Sequence, residues 1–124
     1  MKQTIATPNA PAAVGPYSQA VLAGNTLYLS GQIGIDPATQ QLAAGVEAQT
    51  KQVFLNIEAV LSEAGYALAD LVKVAVYITD MADFAKVNEL YASFLQAPYP
   101  ARSCVAVAAL PKGALVEIEV VAVK

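Results

Sequence analysis

Arg102 and Cys104 open an otherwise apolar stretch, PARSCVAVAAL, at residues 100–110. On a strand, residues two apart share a face, so Arg102, Cys104, Ala106 and Ala108 lie on one side and Ser103, Val105, Val107 and Ala109 on the other. A guanidinium keeps its charge in any protein setting, and in a buried stretch it needs an anion from the chain or from a ligand. A structural ion pair beside a small buried thiol meets that need as well as a ligand anchor does, and the residues alone leave both open. Glu117 and Glu119 share a strand face with Leu115 and Val121, opposite Val116, Ile118 and Val120. Two glutamates on a solvent face is the simpler account, although their apolar neighbours make a carboxylate unusual there. Tyr17, after Gly15-Pro16, and the pair Ser30-Gly31 fit either plain packing or a close backbone approach.

The available chemistry is narrowed by what is missing. The sequence has no histidine, which removes the Ser-His and Cys-His nucleophile pairs, an imidazole base and imidazole metal ligands. One cysteine excludes an internal disulfide and a thiolate zinc site, and fits a reducing compartment. Net charge is -3 and the seven Lys and Arg residues form no cluster, which disfavours nucleic-acid binding through a basic surface. No apolar run reaches the roughly 18 residues that span a membrane, and the start, MKQTIATPNAP, lacks a signal-peptide core, so a cytoplasmic protein without membrane association is expected.

A chain of 124 residues predicts one domain over 1–124. Residues 7–18, with three prolines and a glycine, read as an ordered loop. A hairpin follows, with arms at 17–22 and 26–31 around Gly24-Asn25, and 36–40 forms another turn. Val53, Phe54, Ile57, Val60, Leu61 and Ala64 recur at helical spacing within 46–64, before Gly65. Residues 71–78 read as a central strand with Val72, Val74, Val76 and Ile78 on one face. Asp80 is a candidate N-cap for a second helix, whose apolar stripe runs through Phe84, Val87, Leu90, Tyr91, Phe94 and Leu95. Strands at 103–109 and 115–123 complete a mixed α+β sheet with two helices on one face. The hydrophobic fraction of 56% and strands apolar on both faces predict that the uncovered face is buried between subunits.

Five segments, GPYSQA, LSGQIG, DFAKVN, PARSCV and VEIEVVAV, occur in the order and approximate spacing of the Rid family of imine and enamine deaminases, also called the YjgF family. Over essentially its whole length the sequence resembles the RidA subfamily. That resemblance implies a chorismate-mutase-like fold and a homotrimer with intersubunit sites. It also implies cofactor-free hydrolysis of 2-aminoacrylate, 2-iminopropanoate and 2-iminobutanoate to 2-oxo acids and ammonia, the substrates being released by pyridoxal-phosphate dehydratases. By the same resemblance Arg102 binds the substrate carboxylate, backbone groups of Gly31 and Cys104 fix the substrate, and Glu117 activates water. Tyr17, Ser30, Phe84 and Asn88 then line the cleft, and no metal is implied. The stretch 91–100 is a few residues shorter than is usual in the subfamily. A non-catalytic metabolite-binding or chaperone-like trimer is the alternative reading, and a ribonuclease or translation inhibitor the third.

Overall fold

The computed structural model describes residues 2–124. Strands β1 (Lys2–Ile5), β2 (Ala20–Ala23), β3 (Thr26–Leu29), β4 (Gln32–Ile33), β5 (Ile35–Asp36) and β6 (Gln41–Leu42) precede helix α1 (Val46–Glu63). Strand β7 (Leu71–Ile78), helix α2 (Phe84–Phe94), β8 (Ala101–Ala106) and β9 (Val116–Val123) follow. The main sheet runs β1-β2-β3-β9-β7-β8, with β4 also paired to β9, while β5 and β6 form a separate ribbon. Only β7 and β8 are parallel, as required when α2 makes the crossover between them. No helix among the described residues is long and apolar enough to cross a membrane.

The core lies between the sheet and α1. Val74, Val76 and Ile78 of β7 and Val116, Ile118, Val120 and Ala122 of β9 are buried against Val53, Phe54, Ile57, Val60 and Leu61 of α1. Burying side chains of this size contributes about 1.5–3 kcal/mol each. The opposite face, carrying Lys73, Ala75, Tyr77, Glu117, Glu119 and Val121, has no layer over it. Two helices on one face of a mixed sheet is the predicted arrangement.

Several local details differ from the pattern-based expectation. Val72 is 45% exposed rather than inward, because a register shift between Leu71 and Lys73 sets it outside the ladder and returns Leu71 to the core. β1 was not expected: it is a polar edge strand in which only Ile5 is buried, so its alternation carries little signal. The first hairpin arm begins at Ala20, not at residue 17, and the second ends at Leu29. Asp80 caps a short 3-10 turn, Met81–Asp83, through the Ala82 N–H, and α2 grows from that turn. β8 starts two residues before its predicted position and ends three before it, although the Val107 N–H still bonds Ile78.

Polar side chains pin the segments that sequence periodicity leaves undefined. Buried Gln19 accepts from the Thr7 N–H at 2.7 Å and donates to the carbonyls of Thr7, Ala10 and Pro11, which fixes the proline-rich loop as an ordered one. On α1, Asn56 donates to the carbonyls of Ile33 and Ile35, while Gln49 donates to Ala43 and accepts from the Leu115 N–H. Gly34 allows this contact, since a Cβ there would meet the Gln49 backbone within 2.6 Å.

Candidate active site in two halves

The predicted site residues gather in two places. In the parallel register Val74 faces Arg102 and Val76 faces Cys104, so both side chains lie on the helix side of the sheet. Tyr77 faces Glu117 and Ala75 faces Glu119, so both glutamates lie on the open side. Arg102 and Glu117 are therefore on opposite faces of the sheet within one chain.

The first half is built on the β8–α2 junction. Phe84, Asn88 and Tyr91 are spaced to share one face of α2. The Arg102 guanidinium packs on that face. Nη1 donates to Asn88 Oδ1 at 2.7 Å, and the guanidinium carbon lies 4.8 Å from the Tyr91 ring centre and 5.7 Å from that of Phe84. No carboxylate among the described residues pairs with Arg102; the ion pair present is Lys86 with Glu47 at 3.6 Å. A cavity of about 340 Å³ beside the guanidinium is lined by Asn88, Tyr91, Ala92, Tyr99, Pro100 and Arg102. Arg102 is exposed, contrary to the expected burial, because β8 is an edge strand whose outer side no described residue covers.

Cys104 is partly buried against the core. Burial raises its thiol above the ordinary value, opposed in part by the Arg102 charge, which is the reverse of an activated thiolate. Its backbone has a different role available. Val107 N–H points to β7, and backbone direction alternates along a strand, so the N–H and C=O of Cys104 point to the free edge.

The second half sits where β3 passes into β4 alongside β9. From Tyr28 to Gln32 the chain takes one residue more than β9 takes from Val121 to Ile118, so Leu29, Ser30 and Gly31 contain a bulge. A Cβ at Gly31 would meet the Glu117 carboxylate and push that side chain aside, so glycine leaves the carboxylate its place. Ser30 donates to the Ser18 carbonyl at 2.6 Å and its N–H bonds Gln19, which brings Tyr17 to the same region. Tyr17 is 52% exposed, and its hydroxyl lies 3.4 Å from the Val14 N–H. Burial, and then the charge of Glu119, raises the Glu117 carboxyl above its ordinary value. Glu119 accepts a hydrogen bond from the Tyr77 hydroxyl and leaves Glu117 as the carboxylate facing Gly31.

Each predicted site residue thus falls in one half: Arg102, Asn88, Phe84 and Cys104 in the first, Glu117, Gly31, Ser30 and Tyr17 in the second. Tyr91 and Tyr99 border the guanidinium as well. Spacing assigns Tyr91 to the apolar stripe of α2, and Tyr99 stands between two prolines with no periodic signal, so only the fold brings them to Arg102.

Comparison with other proteins places this α+β fold in a known class. The family described as endoribonuclease L-PSP matches residues 7–124. The chain belongs to this family, which is the Rid or YjgF family. It is 48% identical to a protein of Escherichia coli strain K12 called 2-iminobutanoate/2-iminopropanoate deaminase, over 100% of this chain and 99% of that one. A RutC family protein of Pyrococcus horikoshii is 53% identical over 100% of this chain and 99% of its own. The crystal structure of RidA from an Antarctic Psychrobacter is 56% identical and superposes with a TM-score of 0.96, covering 98% of this chain and 99% of that chain.

Proposed function

We propose that this chain is a hydrolytic deaminase of 2-imino acids and their enamine tautomers, such as 2-aminoacrylate, 2-iminopropanoate and 2-iminobutanoate. The observation that carries the reading is an arginine held by Asn88 and Tyr91 with no anion of its own among the described residues. A substrate carboxylate is the anion that its free N–H groups fit, as a bidentate pair. The E. coli relative called an imine deaminase, matched over the whole chain, supports the same substrate class.

The site is completed between chains. Arg102, Asn88 and Phe84 come from one copy, with the Cys104 backbone at its free edge, and Glu117, Gly31, Ser30 and Tyr17 from the next. A homotrimer closes this arrangement with one domain per chain, and the uncovered sheet face supports it. Glu117 takes a proton from water as the oxygen attacks the carbon of the protonated imine, giving a neutral carbinolamine. That proton passes to the nitrogen, and Glu117 then takes the hydroxyl proton as the C=O bond forms and the C–N bond breaks to release ammonia. The imine carbon is already electrophilic, so orientation and one carboxylate suffice without a cofactor. Cytoplasmic pyridoxal-phosphate dehydratases are the enzymes that release such substrates.

A serine dehydratase that generates 2-aminoacrylate, with pyruvate appearance followed, tests the reading. Wild type accelerates pyruvate release, and Arg102→Ala and Glu117→Gln each lower kcat/KM by about a hundredfold or more. No acceleration over free hydrolysis by wild type sinks the deaminase reading and leaves a binding or chaperone-like module. Equal activity of Arg102→Ala removes the carboxylate anchor. Cleavage of RNA by wild type, without imine turnover, moves the assignment to a ribonuclease.

A further inference from the structure

We propose that Tyr91 is a positioning residue for the reaction: its ring, anchored in the core, holds the Arg102 guanidinium in the orientation that receives the substrate carboxylate. The inference rests on the reading of Arg102 as the anchor of a 2-imino acid.

Arg102 projects from an exposed edge strand, where a long side chain ordinarily samples many rotamers. Its one side-chain hydrogen-bond partner among the described residues, Asn88, is itself exposed and gives a single contact at Nη1. Tyr91 is different in kind, being 5% exposed with the guanidinium carbon 4.8 Å from its ring centre. That ring meets Phe54 edge-on, with centres 6.0 Å apart at 71°, and Phe54 in turn stacks on Phe94 at 4.7 Å. Phe54 is wholly buried. A continuous run of aromatic contacts thus connects the buried core to the Arg102 guanidinium. The attraction of a cation to a ring face fixes the guanidinium against it while leaving its N–H edge free. Asn88 then sets the rotation within that plane, and the other guanidinium nitrogens remain available beside the cavity lined by Tyr99 and Pro100.

The hydroxyl of Tyr91 takes no part. It is the one buried side-chain polar atom among the described residues without a hydrogen-bond partner, which is a cost to folding. Ring and hydroxyl therefore separate experimentally. Tyr91→Phe keeps the ring, and raises Tm while leaving KM for the imine and Kd for 2-oxobutanoate at wild-type values. Tyr91→Leu removes the ring face. It raises KM and Kd about tenfold with kcat within about twofold of wild type, which general loss of folded protein does not do. Tyr91→Met, of similar volume and greater adaptability, serves where the leucine form does not fold.

Wild-type KM and Kd in the leucine or methionine form overturn the proposal, as does a Tyr91→Phe form weakened as much as they are. Wild type without imine turnover overturns the proposed function and this inference with it. An active, Arg102-dependent wild type that is indifferent to the loss of the Tyr91 ring overturns this inference alone.

Discussion

The two halves of the site solve opposite problems. The Arg102 half holds a permanent charge on an edge strand and must order it, which it does with a ring and an amide. The Glu117 half holds a titratable charge against a bulge and must perturb it, which it does by burial and by the neighbouring Glu119. On the proposed function one half binds and the other reacts, and their placement on opposite faces of one sheet then means that a chain supplies the two functions to different sites.

Mixing variants gives the largest effect that separates the halves. Arg102→Ala and Glu117→Gln proteins, unfolded together and refolded as one mixture, regain up to about a quarter of wild-type activity, because random assembly joins an intact arginine half to an intact glutamate half. Activity no greater than the sum of the separate parents places both halves in one chain and breaks the comparison. Next in size, Gly31→Ala drives a methyl into the Glu117 carboxylate. It lowers kcat by about tenfold or more by displacing that carboxylate and changes denaturant unfolding little, while Kd for 2-oxobutanoate changes less than twofold if binding belongs to the other half.

The pH response on the acid side is smaller and belongs to Glu117. Its folded value is raised above 4.5, so the folded protein holds this proton more tightly than the unfolded chain and ionisation weakens folding at neutral pH. Glu117→Gln therefore unfolds at higher temperature than wild type at pH 7, and the difference closes as pH falls below the raised value. The kcat/KM of wild type rises with pH through a midpoint above 4.5, and the glutamine form lacks that limb. The smallest effect is at the thiol: Cys104→Ser changes kcat/KM less than about twofold if, as proposed, the group offered to substrate is backbone. A loss like that of Glu117→Gln would make the thiol a reactant and sharpen the first half into more than an anchor.

The elements that bury a face were readable in the sequence. α1 ends within one residue of its predicted position because Val53, Phe54, Ile57, Val60 and Leu61 leave no other period, and β7 and β9 follow from their β-branched runs. The candidate site residues are named through the family resemblance carried by segments such as PARSCV and EIE, and the fold gathers them in two places. Three things were not readable. The bulge at Val72 inverts one position without changing composition. Gln19, Gln49 and Asn56 act as pins through hydrogen bonds between residues distant in sequence, which no local pattern records. The opposition of Arg102 and Glu117 depends on strand register, and register is a property of the paired sheet rather than of either strand.

The free edge of β8 also bears on how the protein survives before it assembles. ARSCVA carries one charge, and its outer backbone groups are unpaired in the isolated chain, the condition under which strands add to one another without limit. Subunit association that covers this edge would suppress aggregation as it completes the site. Substitutions that weaken assembly are then expected to reduce the yield of soluble protein at concentrations where the catalytic groups themselves are untouched.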